Sequence, residues 1–144
     1  MVLTLEDYHK GDSCKIRTRS GDLMTHSISE TFINSGPAAT VFNGDTVVAI
    51  GGMVAVRTGV AKAWSFMSDT ARGHGRDIVY IVHTMLPRMM KELGIHRLEA
   101  TVRADRPEYI KFARMIGMHP ESLMDMAAPD GSDMIMFTML ERES

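Results

Sequence analysis

The sequence predicts an α+β fold in which helices flank a mixed, mostly antiparallel sheet. Three observations predict it: short apolar segments separated by turn residues between positions 39 and 68, one long segment of helical periodicity after them, and a final pair of apolar segments around a turn. Short strands joined by tight turns pair with their neighbours, and an amphipathic helix buries its apolar face on the sheet. A length of 144 residues is typical of one domain, so we expect a single domain over residues 1–144.

The first predicted elements are a helix and three strands. A loose helical spacing over Asp22–Ile33 ends at Ser35-Gly36-Pro37, where glycine and proline stop a helix. Asn43-Gly44 is a strong signal for a two-residue hairpin turn, and Gly51-Gly52 suggests a bulge or kink inside a strand. Trp64 and Phe66 alternate onto one face. The strands are expected at Ala39–Phe42, Thr46–Val56 and Ala61–Ser68.

The clearest element is a helix over Asp77–Leu93. Its apolar residues recur at helical spacing, and they are Ile78, Ile81, Val82, Met85, Leu86, Met89, Met90 and Leu93. Pro87 is expected to kink this helix or to split off its last turn, and Gly94 is expected to follow its end. The later elements are a strand at Arg97–Val102, a helix from Arg106-Pro107 to Ile116, and strands at Leu123–Ala127 and Met134–Glu141 around the turn Pro129–Ser132.

The composition excludes several classes of protein. The single cysteine allows neither an internal disulfide nor a multi-cysteine zinc site, and the six histidines lack metal-ligand spacing, so no metal is expected. A net charge of −2 argues against nucleic acid as a partner. No apolar segment approaches the ~20 residues of a membrane span, and the start lacks a signal-peptide pattern. We therefore expect a cytoplasmic protein, whose 14 methionines fill a core poor in aromatic residues.

The segment that carries chemistry is Arg72–Asp77, between a predicted strand and the clearest helix. A helix N-terminus offers free N–H groups and the positive end of the helix dipole, and glycines before it let those amides approach a phosphate. Arg72, His74 and Arg76 add cationic side chains. The same segment also suits a plain strand-to-helix turn. It lacks the lysine of a Walker motif and the third glycine of a dinucleotide fingerprint, which weakens the case for a mononucleotide-binding protein.

Residues 61–118 resemble the GNAT N-acetyltransferase superfamily. Arg72, Gly73 and Gly75 match that family's Arg/Gln-x-x-Gly-x-Gly/Ala loop in its Arg-Gly-x-Gly variant. The passage Lys91–Val102 is similar to the family's helix-glycine-strand segment, and Phe112–Met118 is similar to its Phe-Tyr-x-x-x-Gly-Phe ending. More narrowly, the small size, the strand with Trp64 and the ending Phe112–Met118 resemble bacteriophage proteins that are described as acetyltransferases or internal virion proteins.

The resemblance implies a GNAT-like (acyl-CoA N-acyltransferase) fold that binds acetyl-CoA, or CoA, in a V-shaped opening between two strands. It implies an amine substrate, on a small molecule or a protein, that attacks the thioester. Tyr109 is the candidate general acid and Glu99 the candidate general base; packing and a solvated surface charge are the alternative roles. The implied cofactor-binding residues are Phe66, Met67 and Ser68 along the pantetheine arm, and Arg72, Gly73, His74, Gly75, Arg76 and Asp77 at the diphosphate.

Two departures from the family pattern keep a second interpretation open. Asp77 stands where the family has glycine or alanine; it suits a helix start but repels a diphosphate. Ala113 stands where family members often have the tyrosine that protonates the leaving thiolate. The alternative is therefore a catalytically degraded GNAT-like protein with a structural or interaction role in a bacteriophage, in the host cytoplasm or the virion. Virion proteins, or a second copy in a homodimer, would then be its partners.

Overall fold

The computed structural model describes residues 3–9, 36–68, 71 and 73–141. The elements are β1 (Thr4–Asp7), β2 (Ala38–Asn43), β3 (Thr46–Arg57), β4 (Val60–Met67), α1 (Gly75–Leu93), β5 (Arg97–Arg103), α2 (Pro107–Met115), β6 (His119–Met124) and β7 (Met134–Leu140). The strands form one sheet in the order β1-β2-β3-β4-β5-β7-β6. The α+β prediction is confirmed. The helix predicted over Asp22–Ile33 lies outside the described residues.

Pairing within the sheet is mixed, as predicted. β1 with β2, β2 with β3, β5 with β7 and β6 with β7 are antiparallel. β4 and β5 are parallel, and they pair from Val60 with Arg97 to Lys62 with Glu99. Parallel neighbours need a crossover connection, and α1 supplies it here.

The contacts divide the chain into two compact units. The first comprises Met1–Ala55 and Ala63–Ile78, and the second comprises Val56–Lys62 and Val79–Ser144. Each has buried apolar residues of its own: Val48, Ile50 and Met53 in the first, and Met90, Leu98, Met118 and Phe137 in the second. Three of the methionines are thus fully buried, whereas Met115 and Met126 are exposed.

The hairpin between β2 and β3 turns one residue later than predicted. Asn43 is the last residue of β2 and pairs with Thr46, so Gly44 and Asp45 form the turn. Gly44 has φ of +63°, and a type II′ turn needs positive φ only at its first central position. The predicted Asn43-Gly44 turn is therefore wrong by one residue, and the Asn43 side chain projects from a strand.

Gly51 and Gly52 do not form the bulge that their sequence suggested. They pair with Ala39 and Ala38, and the register shift lies nearer the turn, where Val48 is the extra residue of β3. Gly52 instead allows a close approach. A Cβ atom there would lie 2.7 Å from Cζ2 of Trp64 and would also overlap the carbonyl oxygen of Pro37.

Trp64 and Phe66 share one face of β4, as predicted. Their ring centroids are 5.7 Å apart at 47°, a tilted arrangement that aromatic pairs favour. Both rings pack on the buried side chains of Val47 and Ile50. These contacts fix the strand that leads into the candidate loop.

α1 begins two residues earlier than predicted and ends as predicted. Leu86 and Met90 are buried on its apolar face, but Leu93 is half exposed at the last turn. The helix continues through Pro87 to Leu93, so the prediction that its last turn separates is wrong. Gly94 follows with φ of +69°, and the N–H of Ile95 donates to the carbonyl of Met90 at 2.8 Å, which is the glycine ending expected of a helix.

The last hairpin pairs as predicted, but β6 starts earlier than the predicted Leu123–Ala127. It covers His119–Met124, its residues are almost all exposed, and its register with β7 shifts between Pro120 and Ser122. Proline is tolerated on an edge strand at such an irregularity. The exposed residues of β6 show no apolar alternation, and Pro120 disfavours a strand. The predicted strand therefore began at Leu123, later than the observed start at His119.

Candidate functional site

The loop after β4 starts from a fixed point at Ser68. Ser68 is buried, and its N–H donates to the carbonyl of Val48, the extra residue of β3, at 2.9 Å. Its carbonyl accepts the N–H of Ala71 at 3.0 Å. Both backbone groups of Ser68 are thus engaged inside the protein, which anchors the loop to the neighbouring strand.

The loop ends at the N-terminus of α1. The N–H of His74 donates to the carbonyl of Ala71 at 2.9 Å, and the carbonyl of His74 accepts the first helical hydrogen bond, from Ile78, at 3.0 Å. His74 is therefore the residue that caps the helix start. The N–H groups of Gly75, Arg76 and Asp77 belong to the first turn, where amides have no partner inside the helix, and all three residues are exposed.

The two glycines keep the space in front of this helix end open. Gly73 has φ of +88°, a conformation that other residues adopt only with strain. A Cβ atom at either Gly73 or Gly75 would meet none of the described residues within 4 Å. An anion can therefore approach the first-turn amides, where the helix dipole is positive.

The two charged side chains in the first turn of α1 have opposite effects on the binding of an anion. Arg76 adds a cation in the first turn, where a bound anion would be attracted to it. Asp77 also lies in the first turn and is exposed; its carboxylate stabilises an empty helix but repels an anion. Arg72, the remaining cation predicted here, lies outside the described residues.

An asparagine side chain that was not predicted to belong to the site contacts this loop. Nδ2 of Asn43 lies 3.3 Å from Nε2 of His74, across 31 positions of sequence. The sequence treated Asn43 as a turn residue, and only the one-residue shift of the turn makes it the last strand residue. No signal in the sequence separates the two placements, because both fit Asn-Gly.

The predicted pantetheine-binding residues lie at the end of β4. Phe66 and Met67 are half-buried, and the N–H of Ser68 is already bonded to Val48. Phe66, Met67 and Ser68 precede Gly73–Asp77 in the chain, and all of these residues belong to the first unit. The structure brings the predicted cofactor-binding residues that it describes together in one segment.

The two predicted catalytic residues lie in the second unit. Oε2 of Glu99 accepts a hydrogen bond from Nε of Arg97 at 2.7 Å, and its side chain is only 13% exposed. Arg97 also pairs with Glu121 at 2.9 Å, and hydrogen bonds to the two carboxylates raise the pKa of Arg97. Tyr109 lies in the first turn of α2 and is 38% exposed, while Ala113, one turn later, is buried.

Other polar groupings in the second unit have structural roles. Nη2 of Arg103 bonds to Asp105, Asp130 and Ser132 within 3.0 Å, which ties the end of β5 to the turn before β7. A surface depression of about 400 Å³ is lined by two cations and two carboxylates beside a proline, and they are Pro87, Arg88, Lys91, Glu92 and Glu141.

Two further properties concern the described residues as a group. None of their histidine, cysteine, aspartate and glutamate side chains cluster in a way that could hold a metal ion. Neither α1 nor α2 is long and apolar enough to cross a membrane.

Comparison of the fold with solved structures gives strong likenesses at low sequence identity. Ard1 from Thermoplasma volcanium has a TM-score of 0.83 at 13% identity, over 99% of this chain and all of that one. A GNAT-superfamily phosphinothricin acetyltransferase from Sinorhizobium meliloti, in complex with acetyl-CoA, has a TM-score of 0.77 at 18% identity, over 97% and 89% of the two chains. A GNAT-family acetyltransferase from Bacillus anthracis has a TM-score of 0.76 at 15% identity, over 99% and 97%.

No protein-family model and no curated protein matches the sequence. TM-scores of 0.76–0.83 establish a shared architecture despite identities of only 13–18%, and architecture by itself does not determine chemistry. From β2 to β7 the helices and strands follow the predicted order, and the mixed sheet agrees with the predicted GNAT-like arrangement. The chain has the fold of the GNAT acetyltransferases.

Proposed function

We propose that this protein is an acyl-CoA-dependent N-acetyltransferase that transfers an acetyl group to an amine. The observation that carries the proposal is the open helix start at Gly73–Asp77, directly after β4, in a chain with the GNAT fold. Solved structures of that fold include an acetyltransferase in complex with acetyl-CoA. The acceptor is an amine of a small molecule or of a protein.

The loop fits the diphosphate of acetyl-CoA. The first-turn amides of Gly75, Arg76 and Asp77 donate to its oxygens, and the Arg76 guanidinium offsets part of its charge. The backbone of Phe66 and Met67 lies along the pantetheine arm, while Ser68 anchors the loop. Asp77 reduces the affinity for the diphosphate, so binding depends on the first-turn amides and on the Arg76 guanidinium.

In the reaction, the amine nitrogen attacks the thioester carbonyl and the C–S bond breaks as the C–N bond forms. The amine loses a proton and the departing thiolate gains one. Glu99 is the proposed general base, acting through water, and Tyr109 the proposed general acid. The hydrogen bond from Nε of Arg97, at 2.7 Å, fixes the position of the Glu99 carboxyl group. No covalent enzyme intermediate is needed.

The first experiment measures CoA binding by calorimetry and by thermal unfolding. A ligand at ~100 times its Kd raises the free energy of unfolding by about 2.7 kcal/mol. We expect a clear rise in Tm with CoA and with acetyl-CoA. Unchanged unfolding at millimolar CoA would contradict the proposal.

A matched pair of arginine variants then locates the binding site. Arg76→Ala removes the cation of the first turn of α1, and Arg88→Ala removes an equally exposed cation from the same helix. We expect about three- to tenfold weaker CoA binding for Arg76→Ala, the loss of one charge-assisted contact, and wild-type binding for Arg88→Ala. Equal effects of the two would place the site elsewhere.

Catalysis is tested with acetyl-CoA and a panel of amines. Tyr109→Phe should lower kcat on the order of 10²-fold, as expected for the loss of a general acid, whereas Tyr80→Phe, on the 72% exposed Tyr80 of α1, should not. Glu99→Gln should lower kcat, as expected for the loss of a general base. Unaltered kcat in Tyr109→Phe or Glu99→Gln would remove that residue from the mechanism.

A second candidate function follows from Ala113. This buried residue stands where the resemblance places the leaving-group tyrosine, and it favours a GNAT-like protein that has lost catalysis and serves as a structural or interaction protein, including the proposed bacteriophage role. CoA binding without turnover on any amine would favour this alternative. Acetylation of an amine that depends on Glu99 or Tyr109 would exclude it.

A further inference from the structure

The hydrogen-bonding chemistry of Asn43 and His74 ties the β2–β3 hairpin to the loop before α1. Nδ2 of Asn43 can only donate, so at 3.3 Å Nε2 of His74 accepts and the neutral ring carries its proton on Nδ1. If the amide is rotated, its oxygen faces the ring and Nε2 donates instead. Both assignments join the same two side chains.

Both partners of this contact also make backbone hydrogen bonds. Asn43 is held in the β2–β3 ladder opposite Thr46, and the turn after it is set by the positive φ of Gly44. His74 is held by the bonds of its N–H to Ala71 and of its carbonyl to Ile78. The contact therefore links a rigid hairpin to the cap residue of a helix.

The position of His74 governs the proposed diphosphate site. It stands between Gly73 and Gly75, neither of which has a side chain to restrain the loop. The amides proposed to bind the diphosphate start at the very next residue. Without a restraint on the His74 ring, the two glycines let this segment sample other conformations, and ordering it on binding costs free energy.

We propose that Asn43 is a positioning residue, which holds His74 and thereby keeps the loop before α1 in the conformation that binds the diphosphate of acyl-CoA. The inference rests on the proposed function. Asn43 acts through His74 and not on the reacting atoms. It should therefore change the affinity for acyl-CoA and leave kcat unchanged.

The experiment measures Kd for CoA by calorimetry and steady-state kinetics with acetyl-CoA. Asn43→Ala should raise Kd and the KM for acetyl-CoA about three- to tenfold, the range expected for one hydrogen bond that organises a site. The control is Thr46→Val in the same hairpin, a nearly isosteric change at the exposed residue opposite Asn43. It should bind as wild type does.

A double-mutant cycle tests the route through His74. His74→Ala should weaken CoA binding by a similar factor, and Asn43→Ala should add nothing in that background. Pantetheine, which lacks the diphosphate, should bind wild type and Asn43→Ala equally. Thermal unfolding without ligand shows that each variant is folded at the assay temperature.

The outcomes separate this inference from the proposed function. If wild type binds CoA and Asn43→Ala binds it equally well, the positioning role is wrong and the proposed function stands. Additive effects of the two substitutions, or an equal loss of pantetheine binding, also overturn the positioning role. If wild type binds no CoA, both proposals fail together.

Discussion

The imidazole ring of His96 lies directly against Gly59. A Cβ atom at Gly59 would overlap Cε1 and Nδ1 of His96, and the carbonyl of Gly59 accepts the N–H groups of both His96 and Arg97, at 2.9 and 3.2 Å. Gly59 also has φ of +78°. The turn between β3 and β4 therefore packs against the start of β5 and is hydrogen-bonded to it.

Gly59→Ala should be strongly destabilising for two separable reasons. Positive φ costs an alanine about 1–2 kcal/mol, and the overlap with His96 adds on the order of 1 kcal/mol. Chemical denaturation measures the sum. In a His96→Ala background the same substitution should cost less, because only the backbone strain remains. An identical cost in both backgrounds would show that the ring moves aside freely.

Gly52→Ala should destabilise the first unit. The added methyl group would lie 2.7 Å from Cζ2 of Trp64 and overlap the carbonyl of Pro37, so we expect a loss of about 1–3 kcal/mol. That is a fall in Tm of several degrees for a chain of this size. Gly75→Ala is the control, because nothing lies within 4 Å of its Cβ position; its Tm should change little.

The Arg103 cluster should make the stability of the second unit depend on pH. Hydrogen bonds from Arg103 lower the pKa of Asp130 and of Asp105. A carboxyl group whose pKa is lower in the folded state stabilises the protein above its unfolded pKa, ~3.9, and this contribution is lost as pH falls through the folded pKa. Thermal unfolding of wild type and Arg103→Met should therefore differ at pH 7.

Low pH and high salt provide controls for the difference in Tm between wild type and Arg103→Met. As pH falls below the unfolded pKa of ~3.9, the contribution of these carboxylates shrinks, so the Tm values of wild type and Arg103→Met should approach each other. High salt at pH 7 should also narrow the difference in Tm, since Asp105 and Asp130 are exposed and Arg103 is only half-buried. A difference that is the same at all pH values would mean that Arg103 stabilises through packing alone.

Arg97 should stabilise the protein by offsetting the negative charges of Glu99 and Glu121 rather than by packing. It bridges Glu99 and Glu121, so Arg97→Met would leave two neighbouring carboxylates without their shared cation. We expect a loss of about 0.5–1 kcal/mol at pH 7, measured by denaturation. Adding Glu121→Gln should restore part of it, and no recovery would argue against mutual repulsion.

The sequence predicted the elements whose signals are local. The period of the apolar residues located α1, and Gly94 marked a helix end where the structure has positive φ. The glycine segment follows β4 as predicted, although Gly75, Arg76 and Asp77 already form the first turn of α1. Each of these signals depends on one segment and its own burial.

The elements that were missed depend on partners distant in sequence. β1 is a strand because Thr4–Asp7 pairs with β2, although its residues are exposed and show no alternation. The contact of Asn43 with His74 depends on the register of the β2–β3 hairpin, which a single residue decides. The pairing of Glu99 with Arg97 likewise required the fold, since both residues taken alone suit a solvated strand.

The outer strand β6 bears on self-association. Exposed edge strands present unpaired backbone groups on which another chain can add a strand and begin aggregation. Here Pro120 removes one N–H donor, Glu121 places a charge beside it, and the register shift up to Ser122 distorts the edge. Copies of this protein should therefore not join into a continuous sheet through the first half of β6, and the edge resists aggregation there.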